Sequence, residues 1–233
     1  MDRLDKVLAA TGRWSRKEAR ALVKAGRVLV DGGLPGGPEV KVGEGTSVTV
    51  DGHPVSTEKY TYLMLHKPAG VVSSTEDPRE RTVLSLLPPE LRRIGLAPVG
   101  RLDKDTEGLL LLTNDGRLAH RLLSPAKHVD KVYYAEVDGL LGEEDCLAFR
   151  RGVILADGTR CLPAELEILD APSRALVTLR EGKYHQVKRM LASRGAPVRY
   201  LKRLSMGAVS LDPALPPGAW RLLEDDEITA LEH

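Results

Sequence analysis

The residues with the clearest potential for chemistry lie in the stretch GRLDKDTEGLLLLTNDG, residues 100–116. Asp103 stands on a polar turn directly before a run of four leucines. Short apolar runs that are bounded by turn residues are typical of buried strands. A carboxylate on a loop that such a strand holds in place has the fixed geometry that a catalytic nucleophile needs. Spacing alone also allows Asp103 to be an Asx-turn or capping residue.

Asp103 and Asp105 form a possible pair of catalytic carboxylates. Such pairs act in glycoside hydrolases, but those enzymes place the two carboxyl groups on opposite sides of the substrate. Two residues at i and i+2 share one loop and lie close together. The spacing therefore argues against a glycosidase, and it does not by itself choose another reaction.

The composition is that of an ordinary globular protein, with 233 residues that are 29% charged and 42% hydrophobic. No apolar stretch approaches the ~20 residues that cross a bilayer, and the N-terminus is too polar for a signal peptide, so we expect a cytoplasmic protein without a membrane partner. Cys146 and Cys161 have no metal-ligand spacing, and we expect free thiols and no metal site. Residues 231–233 resemble the remains of an expression tag and are left out of the fold prediction.

Two segments are strongly basic although the whole chain has a net charge of only +1. Residues 1–30 contain eight Lys or Arg against three acids, and residues 180–205 contain eight against one. Concentrated positive charge in an otherwise neutral protein indicates a bound polyanion. Basic helix faces that are merely solvated are the alternative for each segment.

The first thirty residues predict two short helices and a strand. Apolar residues at positions 4, 7 and 8 share one helix face, and Ser15 with Glu18 predicts a capping box at the start of a second helix. The segment is similar to the S4 RNA-binding domain, because residues 15–19 match its Ser-Arg-x-x-Ala pattern and residues 26–32 match its Val-x-Val-Asp-Gly strand. Lys and Arg that contact phosphates position an RNA without reading its sequence.

The stretch from 100 to 116 closely resembles the signature motif of the pseudouridine synthases, in particular the RsuA type that modifies ribosomal RNA. In that family the Asp of Gly-Arg-Leu-Asp is the catalytic residue, which is Asp103 here. The reaction breaks the N-glycosidic bond of a uridine, rotates the uracil and joins C5 to C1′. It involves no redox step and no phosphoryl transfer. The resemblance therefore implies that no cofactor is required, and the chain has no phosphate-binding glycine loop or dinucleotide motif.

The resemblance implies two further catalytic positions, and the place of Arg101 beside Asp103 suggests a third. The family's Lys-x-Tyr motif maps onto Tyr133, whose ring would stack on the target base, and the string YHQVKRM at 184–190 matches the third catalytic motif. In that motif Lys188 would pair with Asp103. Arg101 stands two residues before Asp103, which predicts the same strand face, and it is our candidate to fill the space left by a flipped-out uridine or to hold its phosphate. From the pattern alone, Tyr133 is also compatible with a packed aromatic residue, and Lys188 with a phosphate-binding or solvated lysine.

Eight basic residues are candidates for RNA binding. Lys67 lies in a Lys-Pro-x-Gly string that resembles the opening of the catalytic domain, and a solvated turn lysine is its alternative. The candidates are Arg3, Arg16, Lys17, Arg20, Lys24, Arg27, Lys67 and Arg189.

The sequence predicts an α+β protein, with a small S4-like RNA-binding domain at 1–57 and a larger, mainly antiparallel mixed-sheet pseudouridine synthase domain at 58–230. We expect a monomer that converts one uridine of small-subunit 16S rRNA, at the position-516 type of site, in rRNA or in a 30S assembly intermediate. Two alternatives stay open: a synthase for large-subunit 23S rRNA, against which residues 184–186 argue, and an S4-type RNA-binding protein without catalytic activity.

Overall fold

In this computed structural model, which describes residues 1–43, 45–124 and 127–232, the apolar run after Asp103 forms a strand of a nine-stranded sheet. Packing divides the chain into two units. The first contains Met1–Thr61 and Leu87–Leu96, and the second contains Tyr62–Leu86 and Ala97–His233. The predicted α+β class, with a small N-terminal unit before a larger mixed sheet, is confirmed. The predicted domain boundary at 57/58 stays a prediction.

The first unit builds a small core from helices and short strands. Its elements are β1 (Asp2–Arg3), α1 (Leu4–Ala10), α2 (Arg16–Lys24), β2 (Val28–Val30), β3 (Lys41–Val42), β4 (Val48–Val50), β5 (His53–Val55) and α3 (Pro89–Arg92). The predicted capping box of α2 is present, because the Ser15 side chain accepts from the Glu18 N–H and the Glu18 carboxylate accepts from the Ser15 N–H. Buried residues of α1 and α2 pack on those of β2–β4–β5.

Gly12 ends α1 and cannot be replaced by a residue with a side chain without rearrangement. Its φ is +73°, and a Cβ added there would lie 1.9 Å from the Glu90 carbonyl oxygen. The turn after α1 therefore needs glycine both for its backbone angle and for the close approach of α3.

The second unit is the larger sheet with helices packed on it. Its elements are β6 (Tyr62–Lys67), a 3₁₀ turn (Val83–Leu86), β7 (Ala97–Pro98), β8 (Glu107–Thr113), α4 (Gly116–Leu123), β9 (Lys131–Val137), α5 (Glu143–Arg151), β10 (Glu165–Ile168), β11 (Arg174–Leu179), α6 (Gln186–Ala192), β12 (Val198–Met206), β13 (Val209–Ser210), β14 (Trp220–Leu222) and α7 (Asp225–Glu232). The main strand order is β10–β11–β9–β12–β8–β6–β14, with β13 paired to β12 and β7 to β8. Among the described strands, β8 and β12 pair in parallel and the other pairs of this sheet are antiparallel.

The centre of the sheet is buried on both faces at β8, where residues 108–113 are buried. On β9 burial alternates, so that one face is covered and the other is half-buried. Helices α4 and α7 cover Leu109 and Leu111, and Leu231 packs into this same cluster. Leaving Leu231 out of the fold prediction was therefore wrong, while His233 lies outside the described residues.

Across residues 1–43, 45–124 and 127–232, no helix is long and apolar enough to cross a membrane.

Candidate active site

The loop that carries Asp103 is fixed by backbone hydrogen bonds on both sides of it. The Ser73 hydroxyl accepts from the Leu102 N–H at 3.0 Å and donates to the Leu102 carbonyl at 2.9 Å, and Leu102 itself is buried. The Thr106 N–H donates to the Asp103 carbonyl at 3.1 Å and closes a turn before β8. Asp103 is thereby held between two anchored residues, with 26% of its side chain exposed.

Lys67 lies beneath this loop and not on the surface. It is fully buried, and its ammonium donates to the carbonyls of Lys104 and Thr106 at 3.2 and 2.8 Å, and to that of Pro68 at 3.0 Å. Burial lowers the pKa of Lys67 to about 8, against the opposing effect of Asp105 and Asp103. The predicted phosphate contact is corrected here, because a buried ammonium with three carbonyl partners holds the loop and does not face RNA.

Lys188 on α6 bridges the two carboxylates of the loop. Its Nζ lies 3.1 Å from Asp103 Oδ2 and 2.5 Å from Asp105 Oδ1. Burial acts to lower the pKa of Lys188, but the hydrogen bonds that its ammonium donates to Asp105 and Asp103 outweigh this effect, and the pKa of Lys188 is raised. The hydrogen bond from Lys188 lowers the pKa of Asp105. The ammonium therefore stays charged between the two side chains, and its contact with Oδ2 fixes the direction of Asp103.

His185 is a second neighbour of Asp103. Its Nε2 lies 3.5 Å from Asp103 Oδ1, whereas Lys188 contacts the other carboxylate oxygen, Oδ2. His185 has a φ of +49°, which places it in the left-handed region directly before α6. The ring of Tyr184 stacks on the His185 ring, with centroids 3.8 Å apart and an angle of 18° between the planes.

The turn before α6 is held by a buried polar network. The Glu181 carboxylate, which is 8% exposed, accepts from Gln186 Nε2 at 2.5 Å, from the Leu162 N–H at 2.8 Å and from the Lys183 ammonium. Gln186 Oε1 in turn accepts from the Lys183 N–H at 2.8 Å. These bonds set the loop that directs His185 and Lys188 toward Asp103.

Tyr133 faces the same side of the sheet as the loop that carries Asp103. It pairs across strands with Arg203, Arg203 pairs with Gly108, and Gly108 pairs with Lys67, whose side chain reaches the loop. Residues directly opposite one another in a sheet share a face, and adjacent strands are ~4.8 Å apart, so Tyr133 lies about two strands from the start of β8. Tyr133 is 9% exposed.

Gly108 allows the close strand pairing that connects Tyr133 to the loop. Its φ is +107°, and a Cβ there would lie 2.2 Å from the carbonyl oxygen of Arg203. The glycine of the motif therefore allows β12 to approach the first residues of β8, and β12 is the strand between the loop and Tyr133.

Arg101 is exposed and lies in the loop, not on a strand face shared with Asp103 as we expected. In the described part of the chain its side chain makes no hydrogen bond or ion pair, so the guanidinium is open to solvent.

Arg189 forms an ion pair with Asp157 at 2.5 Å, which connects α6 to the turn before β10.

The basic residues of the first unit are organised by a buried acid. Asp5 has no exposed side-chain surface, and its carboxylate accepts from three half-exposed arginines, Arg3 at 3.1 Å, Arg16 at 3.3 Å and Arg20 at 2.7 Å. Burial acts to raise the pKa of Asp5, but these hydrogen bonds dominate and hold it well below its usual range.

The other predicted RNA contacts of this unit differ in their surroundings. Arg27 pairs with Asp51, whereas Lys17 and Lys24 are exposed on α2. The structure thus brings three of the predicted arginines into one cluster and leaves the two lysines in solvent.

Residues 61–193 match the sequence profile described as RNA pseudouridylate synthase, and residues 2–34 match that of the S4 domain. The chain is 43% identical over 236 residues to the ribosomal small subunit pseudouridine synthase A of Pseudomonas aeruginosa, covering 98% of this chain and 100% of that protein. This chain belongs to the RNA pseudouridine synthase family. The predicted enzyme class, the RsuA type and the N-terminal S4 domain are confirmed.

Other relatives of this pseudouridine synthase extend over the same length. An uncharacterized RNA pseudouridine synthase of Bacillus subtilis is 52% identical over 99% of this chain and 98% of that protein. A ribosomal small subunit pseudouridine synthase A of Vibrio cholerae is 39% identical over 98% of this chain and 99% of its own length. A crystal structure of a pseudouridylate synthase superposes with a TM-score of 0.70 at 34% identity, covering 99% and 100% of the two chains.

Sequence reasoning missed two residues of this site and, separately, one buried residue of the first unit. His185 was passed over although it stands three residues before Lys188, a spacing that places both on one side of a helix start. Asp105 was set aside as half of a glycosidase pair, yet it shares the Lys188 ammonium. The sequence does contain the three arginines at positions 3, 16 and 20 that surround Asp5, but no spacing rule predicts that these arginines pair with Asp5. Within the described residues no group of three or more His, Cys, Asp or Glu is arranged to hold a metal ion.

Proposed function

We propose that this pseudouridine synthase isomerises one uridine of 16S rRNA, at the position-516 type of site, with Asp103 as the catalytic residue. Two full-length relatives that are named small subunit synthases, from Pseudomonas and Vibrio, support the choice of 16S rRNA. The substrate is free 16S rRNA or a 30S assembly intermediate, and the enzyme acts as a cytoplasmic monomer.

The observation that carries the catalytic assignment is the ion pair between Asp103 and Lys188, on a loop that Ser73 and Lys67 hold in place. A carboxylate at a fixed position needs no reorganisation when charge develops at the ribose. Asp103 acts at the sugar, as nucleophile at C1′ or as proton acceptor. Lys188 holds the carboxylate in its orientation through the 3.1 Å contact with Oδ2, which makes it a positioning residue for this step.

In the overall reaction the N1–C1′ bond breaks, the uracil turns, and a C5–C1′ bond forms. The proton that leaves C5 is balanced by the one that N1 gains, so atoms and charge are conserved and no co-reactant is consumed. The role of the protein is to hold the uracil while it is detached. Tyr133, on the same face of the sheet as the loop, is suited to stack on the base, since stacking restrains a ring without fixing its rotation.

The uridine must leave the RNA stack before Asp103 can reach it, at a cost of a few kcal/mol. Arg101 is exposed and stands two residues from Asp103, so its guanidinium can fill the vacated space or hold the flanking phosphate. In the S4 unit, Lys17 and Lys24 and the outer N–H groups of the arginines around Asp5 supply phosphate contacts, which dock the RNA without selecting the base.

The test is to map pseudouridine after incubation of the purified chain with three substrates: a 16S rRNA transcript, a 30S assembly intermediate and a 23S rRNA transcript. Asp103→Asn serves as the inactive control, because it keeps the size of the side chain and removes the charge. We expect one new site in 16S rRNA or in the 30S intermediate with the wild type, and none with Asp103→Asn.

A site in 23S rRNA alone would replace the proposed substrate by the large subunit and leave the activity in place. Tight binding of RNA without modification of any of the three substrates would overturn the proposal in favour of a non-catalytic RNA-binding protein.

A further inference from the structure

Tyr184 presents an aromatic ring to solvent beside the catalytic loop. It is 75% exposed, and its inner face is covered by the His185 ring, with the two ring centroids 3.8 Å apart. Three other tyrosines of the same unit use their hydroxyls in hydrogen bonds, namely Tyr62, Tyr134 and Tyr200. In the residues that the structure describes, the Tyr184 side chain has no hydrogen-bond partner.

The ring is held in place before any RNA arrives. The left-handed turn at His185 and the network of Glu181 and Gln186 fix the loop, and the Arg189 guanidinium lies 3.5 Å from the Tyr184 carbonyl. A preordered aromatic side chain loses little conformational entropy when a partner stacks on it. The free outer face of Tyr184 is thus a ready surface for a planar ligand.

The stack begins at the proposed catalytic carboxylate. His185 Nε2 lies 3.5 Å from Asp103 Oδ1, and the Tyr184 ring forms the next layer outward. The 3.8 Å between the two rings is close to the ~3.4 Å rise between stacked nucleotides. A base on the outer face of Tyr184 would therefore continue a column of rings that starts beside the target uridine.

We propose that Tyr184 binds the nucleobase adjacent to the target uridine by stacking on its outer face, with His185 as the layer beneath. This inference rests on the proposed function, and it adds a binding subsite to it. Every base has a flat aromatic face, so the subsite positions the neighbouring nucleotide and does not select its identity. It keeps the RNA strand in place while the uridine itself is flipped out.

The first test compares binding of a 16S rRNA transcript by the wild type, Tyr184→Ala, Tyr184→Phe and the control Leu140→Ala. Leu140 is 78% exposed, so its truncation removes a similar exposed apolar side chain from a different loop. We expect Kd to rise about 5- to 150-fold for Tyr184→Ala, the range that stacking of one base supplies. Tyr184→Phe keeps the ring and should bind within about twofold of the wild type, as should Leu140→Ala.

The second test identifies the partner base. A short RNA around the modified uridine is prepared with an abasic nucleotide either 5′ or 3′ of the target, and its binding is measured with the wild type and with Tyr184→Ala. At one of the two positions the abasic change should weaken binding to the wild type and have no further effect on Tyr184→Ala, because both changes remove the same stack. Abasic effects that are equal in the two proteins at both positions would overturn the subsite.

The failure of the subsite and that of the proposed function are separate outcomes. If the wild type modifies no uridine, the proposed function fails, and the short RNA is then taken from the footprint of the protein on the transcript. Coupling between Tyr184 and one base in that RNA would still support the subsite, and unchanged binding of the transcript by Tyr184→Ala would overturn it.

Discussion

Replacing Lys188 with methionine removes the ammonium between Asp103 and Asp105 and keeps most of the side-chain volume. At the 3.1 Å that separates Nζ from Asp103 Oδ2, two unit charges interact with about 1.3 kcal/mol in bulk water and about 5 kcal/mol at an effective dielectric constant of 20. Asp103 and Lys188 are 26% and 22% exposed, so an intermediate value of about 2–3 kcal/mol applies. If this attraction aligns the carboxylate for catalysis, kcat/KM should fall about 30- to 150-fold.

The assay is single-site pseudouridine formation on a 16S rRNA transcript, with kcat and KM determined separately. Lys104→Met is the matched control, because Lys104 lies in the same loop and pairs with Glu80 at 2.7 Å, not with Asp103. It should raise KM slightly by loss of one positive charge and leave kcat near that of the wild type, while Lys188→Arg should recover part of the lost kcat. Equal losses in Lys188→Met and Lys104→Met, confined to KM, would refute the reasoning and make Lys188 a phosphate contact.

Two further predictions concern the residues that shape the fold around these sites. Gly108→Ala should lower the free energy of unfolding by about 3 kcal/mol or more, because the φ of Gly108 is +107° and the new Cβ would collide with the Arg203 backbone. Gly116→Ala is the control, since Gly116 has open space at the start of α4, and it should change the free energy of unfolding by less than about 1 kcal/mol. Thermal unfolding of the two variants measures both effects. Asp5→Asn should destabilise the S4 unit by about 3 kcal/mol, since three arginines lose their buried partner, and Asp2→Asn, an exposed pair, by about 0.5 kcal/mol or less. Because the pKa of Asp5 is lowered in the folded state, its carboxylate stabilises the fold fully above the unfolded pKa near 3.8, and this stabilisation is lost as pH falls toward the lower folded pKa. The difference in unfolding free energy between the wild type and Asp5→Asn should therefore shrink below about pH 4. A difference that grows there would contradict the assignment.

Local patterns in the sequence predicted the elements that carry the site. The four leucines within the 100–116 motif form the centre of β8, the Ser15–Glu18 pair caps α2, and the basic string at 186–192 is the helix α6. Each of these depends on neighbours within a few residues, which a sequence displays directly. Residues 71–74, which follow the Pro-Ala-Gly turn after β6, form no strand, and among them only Val72 makes a bridge, with Thr82.

Contacts between distant residues could not be predicted from the sequence. Lys67 precedes a proline and glycine turn, which suggests solvent, yet its strand places it under the loop 37 residues later in the chain. The interaction of Lys188 with Asp105 spans 83 residues. Only the pairing of β6 with β8 and the position of α6 bring these groups together, and neither is set by local sequence preference.

The central claim is that Asp103, and not its neighbour, does the chemistry. The most direct test is to measure single-turnover pseudouridine formation with Asp103→Asn and Asp105→Asn on the same 16S rRNA substrate. The two variants lose the same charge, in the same loop, next to the same Lys188 ammonium. We predict that Asp103→Asn is at least about 10³-fold slower while still binding RNA, and that Asp105→Asn stays within about tenfold of the wild type. Turnover by Asp103→Asn together with loss of activity in Asp105→Asn would contradict the account.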